Sequence, residues 1–310
     1  MQYVTVKQTA RKWGLSERRV RTLCREGRID GVFRMGWIWS IPEDAAKPAD
    51  ARARRRRLKT REETGLGKMR FGSIDSKKMQ LDRARPLPKH TLKSLQESTL
   101  VEWTYNSNAI EGNTLTMSET RVVLEGVTVG GKSVREHLEV INHKDAILYL
   151  EELAHADEPL TEWSIKNLHR LVLKNIDTEN AGVYRHENVL ISGAKHRPPE
   201  HFLIKDQMES MIARHGGEWQ RLHPVERAAL LHIELARIHP FIDGNGRTAR
   251  LLMNFELLKF GFPPAIIKAE TRPQYYDALD KAHTTGDCST LVALVAICVE
   301  QALDLWLSVV

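Results

Sequence analysis

The sequence predicts a mainly α-helical protein of two domains, and three observations support this fold class. From about residue 75 onward, apolar residues recur at helical spacing, and the runs end at proline or glycine. β-Forming residues are concentrated in residues 29–41 and, more briefly, in residues 189–192. The length of 310 residues suits about two domains. We therefore expect a helical body with one small β-hairpin, preceded by a smaller domain with a hairpin of its own.

The composition excludes several classes of protein. Hydrophobic residues make up 42% of the chain and charged residues 28%, and the mean hydropathy is −0.39, which excludes a collagen, a disordered chain and an integral membrane protein. The most apolar stretch, residues 291–310, carries Glu300, Gln301 and Asp304, so we expect a core helix there. Residues 1–13 lack the apolar segment of a signal peptide, and the three cysteines lack metal-ligand spacing. These features predict a cytoplasmic protein with no membrane partner.

Basic charge is concentrated at the N-terminal end. Residues 1–70 contain 19 Lys and Arg against 8 Asp and Glu, a net charge of +11, whereas the remainder of the chain carries −5. A basic end on a mildly acidic body predicts contact with a polyanion, most often nucleic acid. Within it, residues 45–73 contain Pro48 and a run of arginines at residues 52–57. We interpret this segment as a basic linker that attracts phosphates without sequence preference.

Residues 1–44 predict a winged helix-turn-helix. A first helical run ends at Gly14, and Ser16 can cap a second helix. The β-rich residues 29–41, with a turn at Met35-Gly36, predict the hairpin that would form the wing. The order of helix, turn, helix and hairpin therefore indicates a small DNA-binding type of fold.

The same residues resemble the excisionase-like winged helices of bacterial and phage proteins. The resemblance rests on Ser16-Glu17-Arg18-Arg19-Val20, which opens the second helix, and on Trp39-Ser40-Ile41-Pro42, which closes the wing. It implies DNA binding through arginines of the second helix and one arginine of the wing, namely Arg18, Arg19, Arg21 and Arg34. The alternative is a docking module that has kept this fold without DNA, because charge alone specifies contact with the phosphate backbone.

The most informative segment joins two predicted helices of the body. Helical periodicity ends at His239-Pro240, and a second amphipathic run begins after Gly246. Two glycines flank Asn245 where that second helix opens, so that backbone N–H groups and the helix dipole converge on one point. This arrangement predicts an anion site suited to phosphate.

Side chains around this loop have the chemistry for nucleotide transfer. Arg247 and Arg250 can form charge-assisted hydrogen bonds with further phosphates, and Asp243 is placed to bind a divalent cation. A neutral His239 could take a proton from an attacking hydroxyl. Each feature alone is more often structural, but together they predict a site for phosphoryl chemistry.

Residues 239–250, with the sequence HPFIDGNGRTAR, match every fixed position of the Fic signature, and the chain resembles Fic proteins over roughly residues 90–305. The resemblance implies an all-helical Fic domain at residues 74–310 with a small β-hairpin flap. It also implies an enzyme that uses Mg²⁺ and transfers AMP from ATP to a Ser, Thr or Tyr hydroxyl of a protein. The chain itself is among the candidate targets. Fic relatives often dimerise, so a homodimer is a further expectation.

The resemblance also implies roles for individual residues. His239 would be the general base and Asp243 the magnesium ligand. Flap residues would align the target, others would hold the phosphates, and two tyrosines would lie near the nucleotide base. These residues are Val189, Leu190, Ile191 and Ser192 in the flap, Gly244, Asn245, Gly246, Arg247 and Arg250 at the phosphates, and Tyr275 and Tyr276 at the base.

A second motif, Ser107-Asn108-Ala109-Ile110-Glu111-Gly112-Asn113, resembles the Fic inhibitory motif and places an inhibitory helix near residues 99–112. Ser107 and Glu111 are one helical turn apart and share a face. The resemblance implies that Glu111 pairs with Arg250 and keeps the γ-phosphate of ATP from seating, as in animal-type Fic proteins with an N-terminal inhibitory helix. Without the Fic loop, Gly112 would be a helix end beside a solvated glutamate. A second role for Glu111, as the base that removes AMP from a modified target, stays open.

Three rival hypotheses remain. Residues 126–133 fit the P-loop pattern, but residues 117–125 before them have a helix-like pattern rather than that of a buried strand. The thirteen histidines include no His-Glu-x-x-His motif, so we do not expect zinc. The alternative to an enzyme is a DNA-binding transcriptional regulator whose Fic domain senses nucleotide without transferase turnover.

Overall fold

The structure, a computed structural model, describes residues 3–25, 29–35, 38–47, 71–156 and 158–309. The chain divides into two compact units, residues 1–63 and 64–310, and each unit has its own hydrophobic core. Most of the proposed basic linker, including its arginine run, lies outside the described residues, as does Gly36 of the predicted wing turn. The domain boundaries of the sequence analysis therefore stay a prediction.

The N-terminal unit contains two short helices and a three-stranded antiparallel sheet. Its elements in chain order are β1 (Tyr3–Thr5), α1 (Val6–Trp13), α2 (Glu17–Arg25), β2 (Phe33–Met35) and β3 (Ile38–Pro42). The strand order is β1-β3-β2, with Val4 opposite Ile41 and Arg34 opposite Trp39. Strand β1 was not predicted, because three residues ahead of a helix carry too little periodicity to indicate a strand.

Local capping fixes both ends of α1. Thr5 and Gln8 form a reciprocal capping box at its start, and Gly14 takes a left-handed conformation, with φ of 63°, at its end. The buried faces of the two helices meet β3 in a small core, to which Trp13, Val20 and Ile41 contribute. The unit thus has the order of helices and hairpin that the sequence predicts.

The second unit is helical throughout its described residues, apart from loops and short 3₁₀ turns, and a mainly α fold is confirmed. The described residues of this unit contain ten α-helices: α3 (Gly72–Ala84), α4 (Lys89–Ile110), α5 (Met117–Leu124), α6 (Val134–His155), α7 (Glu162–Val172), α8 (Ile204–His215), α9 (Pro224–Ile238), α10 (Asn245–Lys259), α11 (Arg272–Thr285) and α12 (Ser289–Leu307).

Helices α9 and α10 lie at the centre of this unit. Leu231 and Leu235 of α9 and Leu251 and Phe255 of α10 have no exposed surface. Helices α4, α6 and α7 pack around α10, whereas α8, α11 and α12 pack against α9. The loop that joins α9 to α10 is therefore held by the most buried part of the fold, which favours a rigid site.

Helix α12 is, among the described residues, the one helix that is long and apolar enough to cross a membrane. It buries one face in the core, including Leu291 and Val299, and packs against α3. On its outer side Lys77 lies 2.9 Å from Glu300 and 2.7 Å from Asp304. The helix therefore packs as a core helix, as its internal charges predict.

The structure contradicts one β prediction. Residues 189–192 form no strand, and the ordered feature there is a turn in which Ala194 N donates to Ile191 O at 3.2 Å. Within the described residues the backbone N–H and C=O groups of Val189 and Leu190 have no hydrogen-bond partner. The apolar run is thus extended chain without a second strand, and the predicted hairpin is wrong. We call residues 187–199 the flap segment.

The P-loop hypothesis is also wrong. Residues 126–133 join α5 to α6, so a helix rather than a strand precedes them. Lys132 donates to Thr114 O at 2.6 Å and to Thr114 Oγ1 at 3.1 Å, and Ser133 caps α6 in a capping box with Glu136. The lysine and serine of the P-loop pattern, Lys132 and Ser133, therefore have structural partners, and residues 126–133 are not a phosphate-binding P-loop.

Candidate active site

The loop between α9 and α10 makes two left-handed turns, at His239 with φ of 50° and at Gly244 with φ of 74°. The side chain of Asn245 braces it from inside. Its Oδ1 accepts from Phe241 N at 3.0 Å and its Nδ2 donates to Phe241 O at 2.9 Å. Because this amide is committed to the loop, Asn245 can contribute to an anion site through its backbone N–H.

His239 ends α9 and is partly buried beside this loop. Burial lowers the pKa of its imidazole to about 4, and the nearby positive charge of Arg185 acts in the same direction. A backbone hydrogen bond at Ala236 and the charge of Glu111 oppose part of that shift. At neutral pH the ring is uncharged and can accept a proton.

His169 of α7 packs against the loop and forms a hydrogen bond with it, and the sequence analysis missed this residue. Its ring stacks on Phe241 with 3.6 Å between centroids. Its Nδ1 accepts from Gly182 N at 2.9 Å, so Nε2 carries the proton and donates to Asp243 O at 2.8 Å. The contact explains Gly244, where a Cβ would lie 3.2 Å from His169 Nε2. No local sequence pattern predicts that His169 contacts Asp243, because the two residues are 74 positions apart.

The carboxylate of Asp243 is surrounded by donors. Its Oδ1 accepts from Gly244 N at 2.6 Å and lies 3.3 Å from Arg247 Nη2, and its Oδ2 lies 2.7 Å from Arg135 Nη2. Burial alone would raise its pKa, but the positive charges of Arg247 and Arg135 and the Gly244 hydrogen bond lower it. Asp243 is therefore ionised, and its side chain is 45% exposed, so a cation from solvent can reach it.

Arg247 is 2% exposed, and its Nε and Nη1 lack a hydrogen-bond partner in the described part of the chain, even though Glu139 Oε1 lies 3.4 Å from Nη1. Unsatisfied donors on a buried guanidinium are costly, and a phosphate oxygen is the kind of acceptor that would satisfy them. Among the described residues no group of three acidic, histidine or cysteine side chains is arranged to hold a metal ion. One ionised carboxylate beside a buried arginine with unsatisfied donors nevertheless suits Mg²⁺, which takes one or two protein carboxylates and completes its shell with phosphates and water.

Arg250 is also buried, but its donors are satisfied. It donates to Ser107 Oγ at 3.1 Å, to Ser107 O at 2.8 Å and to Glu111 Oε1 at 2.7 Å. Its Nη1 donates to Tyr275 Oη at 3.3 Å. Burial alone would lower the pKa of Arg250, but the carboxylate of Glu111 raises it above the ordinary value. The guanidinium is thus fully engaged by the end of α4 and by α11.

Gly246 shows where the carboxylate of Glu111 lies. A Cβ on Gly246 would stand 2.3 Å from Glu111 Oε1 and 3.2 Å from Arg250 Nη1. The carboxylate therefore rests against the first turn of α10, at the positive end of the helix dipole, where the sequence predicts a phosphate. On the other side, Gly112 leaves α4 with φ of 99°, a conformation that favours glycine.

The two tyrosines differ in their surroundings. Tyr275 is 1% exposed, and its hydroxyl lies 2.9 Å from His232 Nε2 while it accepts from Arg250. Tyr276 is 38% exposed and donates to Ile110 O at 3.2 Å. Tyr275 therefore positions Arg250, and of the two rings only that of Tyr276 is open enough to meet a base. Their role at the nucleotide base stays a prediction.

The arginines proposed to contact DNA lie in the other unit. Arg18, Arg21 and Arg34 are exposed, whereas Arg19 is partly buried. Arg21 pairs with Glu17 at 3.0 Å, and the Arg34 guanidinium lies 5.6 Å from the centre of the Trp39 ring. Their role at DNA stays a prediction.

A mainly α fold that presents a neutral histidine, an ionised aspartate and two buried arginines around a helix N-terminus defines a phosphate-handling site of the Fic type. The profile of the Fic/DOC family matches residues 159–257. A crystal structure of a Fic-domain-containing signaling protein from Bacteroides thetaiotaomicron is 31% identical, with a TM-score of 0.71, and the match covers 77% of this chain and 97% of that one. The chain belongs to the Fic/DOC family, as the sequence motif indicates.

Three animal proteins are further relatives. Fic-1 of C. elegans, residues 134–508, has a TM-score of 0.71 and 31% identity, covering 84% of this chain and 78% of that one. The protein adenylyltransferase Fic of Nematostella vectensis is 38% identical over 274 residues, and that of Drosophila mojavensis is 37% identical over 255. The matches cover 85% and 78% of this chain but 62% and 48% of those relatives. The chain thus spans roughly half the length of the curated relatives that it matches.

Proposed function

We propose that the chain is a protein adenylyltransferase that transfers AMP from ATP to a protein hydroxyl. The observation that carries the proposal is the uncharged His239 beside the anion site at the start of α10. Relatives that are 36–38% identical over most of this chain carry the name protein adenylyltransferase Fic.

In the proposed reaction the hydroxyl oxygen of the target attacks the α-phosphorus of ATP. The hydroxyl proton passes to His239, the new P–O bond forms, and the bond to pyrophosphate breaks. Arg247 and the backbone N–H groups of the loop would stabilise charge on the phosphates. Asp243 would hold Mg²⁺, which when bound supplies further neutralisation of phosphate charge.

The same site carries a proposed inhibition. Glu111 binds Arg250 and lies against Gly246, so a γ-phosphate that needs the same guanidinium must displace the carboxylate. Ser107 holds Arg250 in the same position through two hydrogen bonds, and Gly112 lets the chain turn away after Glu111. We expect the basal activity of the enzyme to be low and to rise when this carboxylate moves away from Arg250.

The N-terminal unit is proposed to be a DNA-binding winged helix-turn-helix. Its helix and hairpin order and its exposed arginines support the proposal, as does the net charge of +11 over residues 1–70. This charge keeps a second function open, a transcriptional regulator whose Fic domain senses nucleotide without turnover. A cytoplasmic location and a homodimer are also proposals, and light scattering of the purified chain tests the dimer.

Labelling decides between transfer and sensing. Wild type, Glu111→Gly and Glu111→Gly with His239→Ala are incubated with Mg²⁺ and α-labelled ATP, and labelled proteins are identified by mass spectrometry. We expect label in the Glu111→Gly reaction and none when His239 is also lost. Lys132→Ala in the Glu111→Gly background is the control and should keep transfer. ATP binding by all variants without label in any would favour the sensor instead.

A further inference from the structure

Arg185 lies at the start of the flap segment and is 3% exposed. Its guanidinium donates to three backbone carbonyls, His239 O at 2.8 Å, Glu187 O at 2.7 Å and Pro199 O at 2.6 Å. Its own backbone N donates to Pro240 O at 2.9 Å. One side chain therefore joins the loop between α9 and α10, residues 239–244, to both ends of the flap segment. We call this loop the catalytic loop.

The chemistry of these contacts argues for a geometric role. None of the ion pairs among the described residues includes Arg185, and burial lowers its pKa. Burying a guanidinium without a carboxylate is costly unless its donors are satisfied. Its planar fork can reach three acceptors in fixed directions, whereas the single ammonium of lysine cannot. An apolar side chain would fill the space at lower cost, so the contacts indicate that the geometry itself is needed.

Contacts on either side of Val189 and Leu190 hold the flap segment in place. Before it, Gly182 N donates to His169 Nδ1, and a Cβ on Gly182 would lie 2.9 Å from Lys166 O, so the chain passes close to α7. Near its far end, Asp280 Oδ1 accepts from the backbone N of Lys195 at 2.9 Å and of His196 at 3.0 Å. Between these anchors Val189 and Leu190 offer unpaired backbone groups, the form in which a segment can pair with an extended peptide.

We propose that Arg185 is the positioning residue that fixes the flap segment relative to His239. A target peptide lying along the flap then presents its hydroxyl at the imidazole that removes the proton. This inference rests on the proposed transfer of AMP and adds the residue that aligns the target for it. A displacement of about 1 Å between two reacting groups can cost roughly 100-fold in rate.

The test compares two buried arginines, each changed to lysine in the Glu111→Gly background. Arg227 is the matched control, since it is also 3% exposed but pairs with Glu256 at 2.6 Å, away from the flap segment. The acceptor is a Glu111→Gly, His239→Ala copy of the chain, and transfer is measured as kcat and KM for that acceptor. Calorimetry gives the ATP affinity, and hydrogen exchange reports on the amides of residues 187–199.

We expect Arg185→Lys to lower kcat/KM for the acceptor by about 10-fold to 100-fold, with ATP affinity within about twofold and faster exchange in the flap segment. Arg227→Lys should lower the melting temperature while kcat/KM and flap exchange stay unchanged. Equal losses of transfer in both variants, or unchanged kcat/KM in Arg185→Lys, would overturn the inference. A Glu111→Gly parent that labels neither this acceptor nor any protein of a cell lysate would overturn the proposed function, and the inference with it. If it labels a lysate protein only, that protein replaces the acceptor in the same comparison.

Discussion

The Oε1 atom of Glu111 lies 2.7 Å from Nη2 of Arg250, although the two residues are 139 positions apart. The pair is formed inside the fold, where the Arg250 side chain is 3% exposed and the Glu111 side chain 32%. In the proposed inhibition, the carboxylate competes with the γ-phosphate of ATP for a guanidinium that solvent does not screen. The predictions about inhibition follow from this competition.

Replacing Glu111 by glycine should raise AMP transfer about 10-fold to 100-fold. Charge-assisted hydrogen bonds contribute about 1.5 to 3 kcal/mol, and each ~1.4 kcal/mol is tenfold in an equilibrium. Label from α-labelled ATP measures the rate. Adding Arg250→Ala should cancel the gain, because the γ-phosphate then lacks its partner. The control is Glu97→Gly on the exposed face of the same helix, and an equal gain from it would refute the inhibitory role.

A separate experiment tests whether Glu111 also removes AMP, since its carboxylate lies against the first turn of α10. Labelled acceptor chain is purified and offered to wild type and to Glu111→Gly with Mg²⁺ but without ATP. Release of AMP by wild type alone is the expected result if the carboxylate activates water. Equal release by both variants, or release by neither, would leave Glu111 with the inhibitory role only.

His239 should show its role through both substitution and pH. His239→Ala should leave the ATP affinity unchanged by calorimetry, while transfer in the Glu111→Gly background falls by ~10² to 10⁴.

Because burial lowers the pKa of His239 to about 4, the neutral ring prevails above that value and the protonated ring below it. Transfer should therefore be level between pH 6 and 8 and decline as the pH falls toward 4. A rate that already declines near pH 6.5 would contradict this protonation state.

Removing Arg135 should strengthen Mg²⁺ binding at the proposed metal site of Asp243. Its guanidinium lies 2.7 Å from Asp243 Oδ2, so a divalent cation must displace it. Both side chains are about half exposed, and such pairs contribute at most about 1 kcal/mol, or roughly fivefold in affinity. Arg135→Ala should thus lower, by up to about fivefold, the Mg²⁺ concentration needed for half-maximal ATP binding by calorimetry. Arg121→Ala, an exposed arginine on α5, is the control and should leave the titration unchanged.

The N-terminal unit should bind duplex DNA with a steep dependence on salt. Each neutralised phosphate releases counterions, so affinity should fall sharply between about 50 and 200 mM salt. Fluorescence anisotropy compares the full chain with a chain lacking residues 1–70. In the full chain, replacing Arg18 and Arg19 by glutamine should also weaken DNA binding if α2 enters the groove. Binding that persists without residues 1–70 would move the DNA site to the other unit.

Local signals in the sequence predicted the helices and the catalytic loop, because both depend on near neighbours. Helical periodicity predicted the helices, and Ser16, predicted as a cap, accepts from Arg19 N at 3.3 Å through its Oγ. The spacing from His239 to Arg250 predicted the loop. The flap segment was predicted incorrectly as a hairpin, since its apolar run indicates extended chain but cannot specify a partner strand.

The supporting side chains were missed for a related reason. His169 and Arg185 bind the catalytic loop across 74 and 54 residues, and Arg135 reaches Asp243 across 108. A histidine or arginine with such partners looks in the sequence like any surface polar residue. The packing of α6 and α7 against α10 brings Arg135 and His169 to the loop, and Arg185 reaches it from the segment that follows α7.

Helix α4 is 22 residues long and ends directly before Glu111, so the number of its residues sets the position of the Glu111 carboxylate around the helix axis. Each residue of an α-helix advances about 1.5 Å along the axis and turns about 100° around it. One residue inserted between the buried Trp103 and Glu111 would swing the carboxylate away from Arg250 without altering any residue of the catalytic loop. The contact between Glu111 and Arg250 therefore depends on the number of residues in the helix as well as on their chemistry.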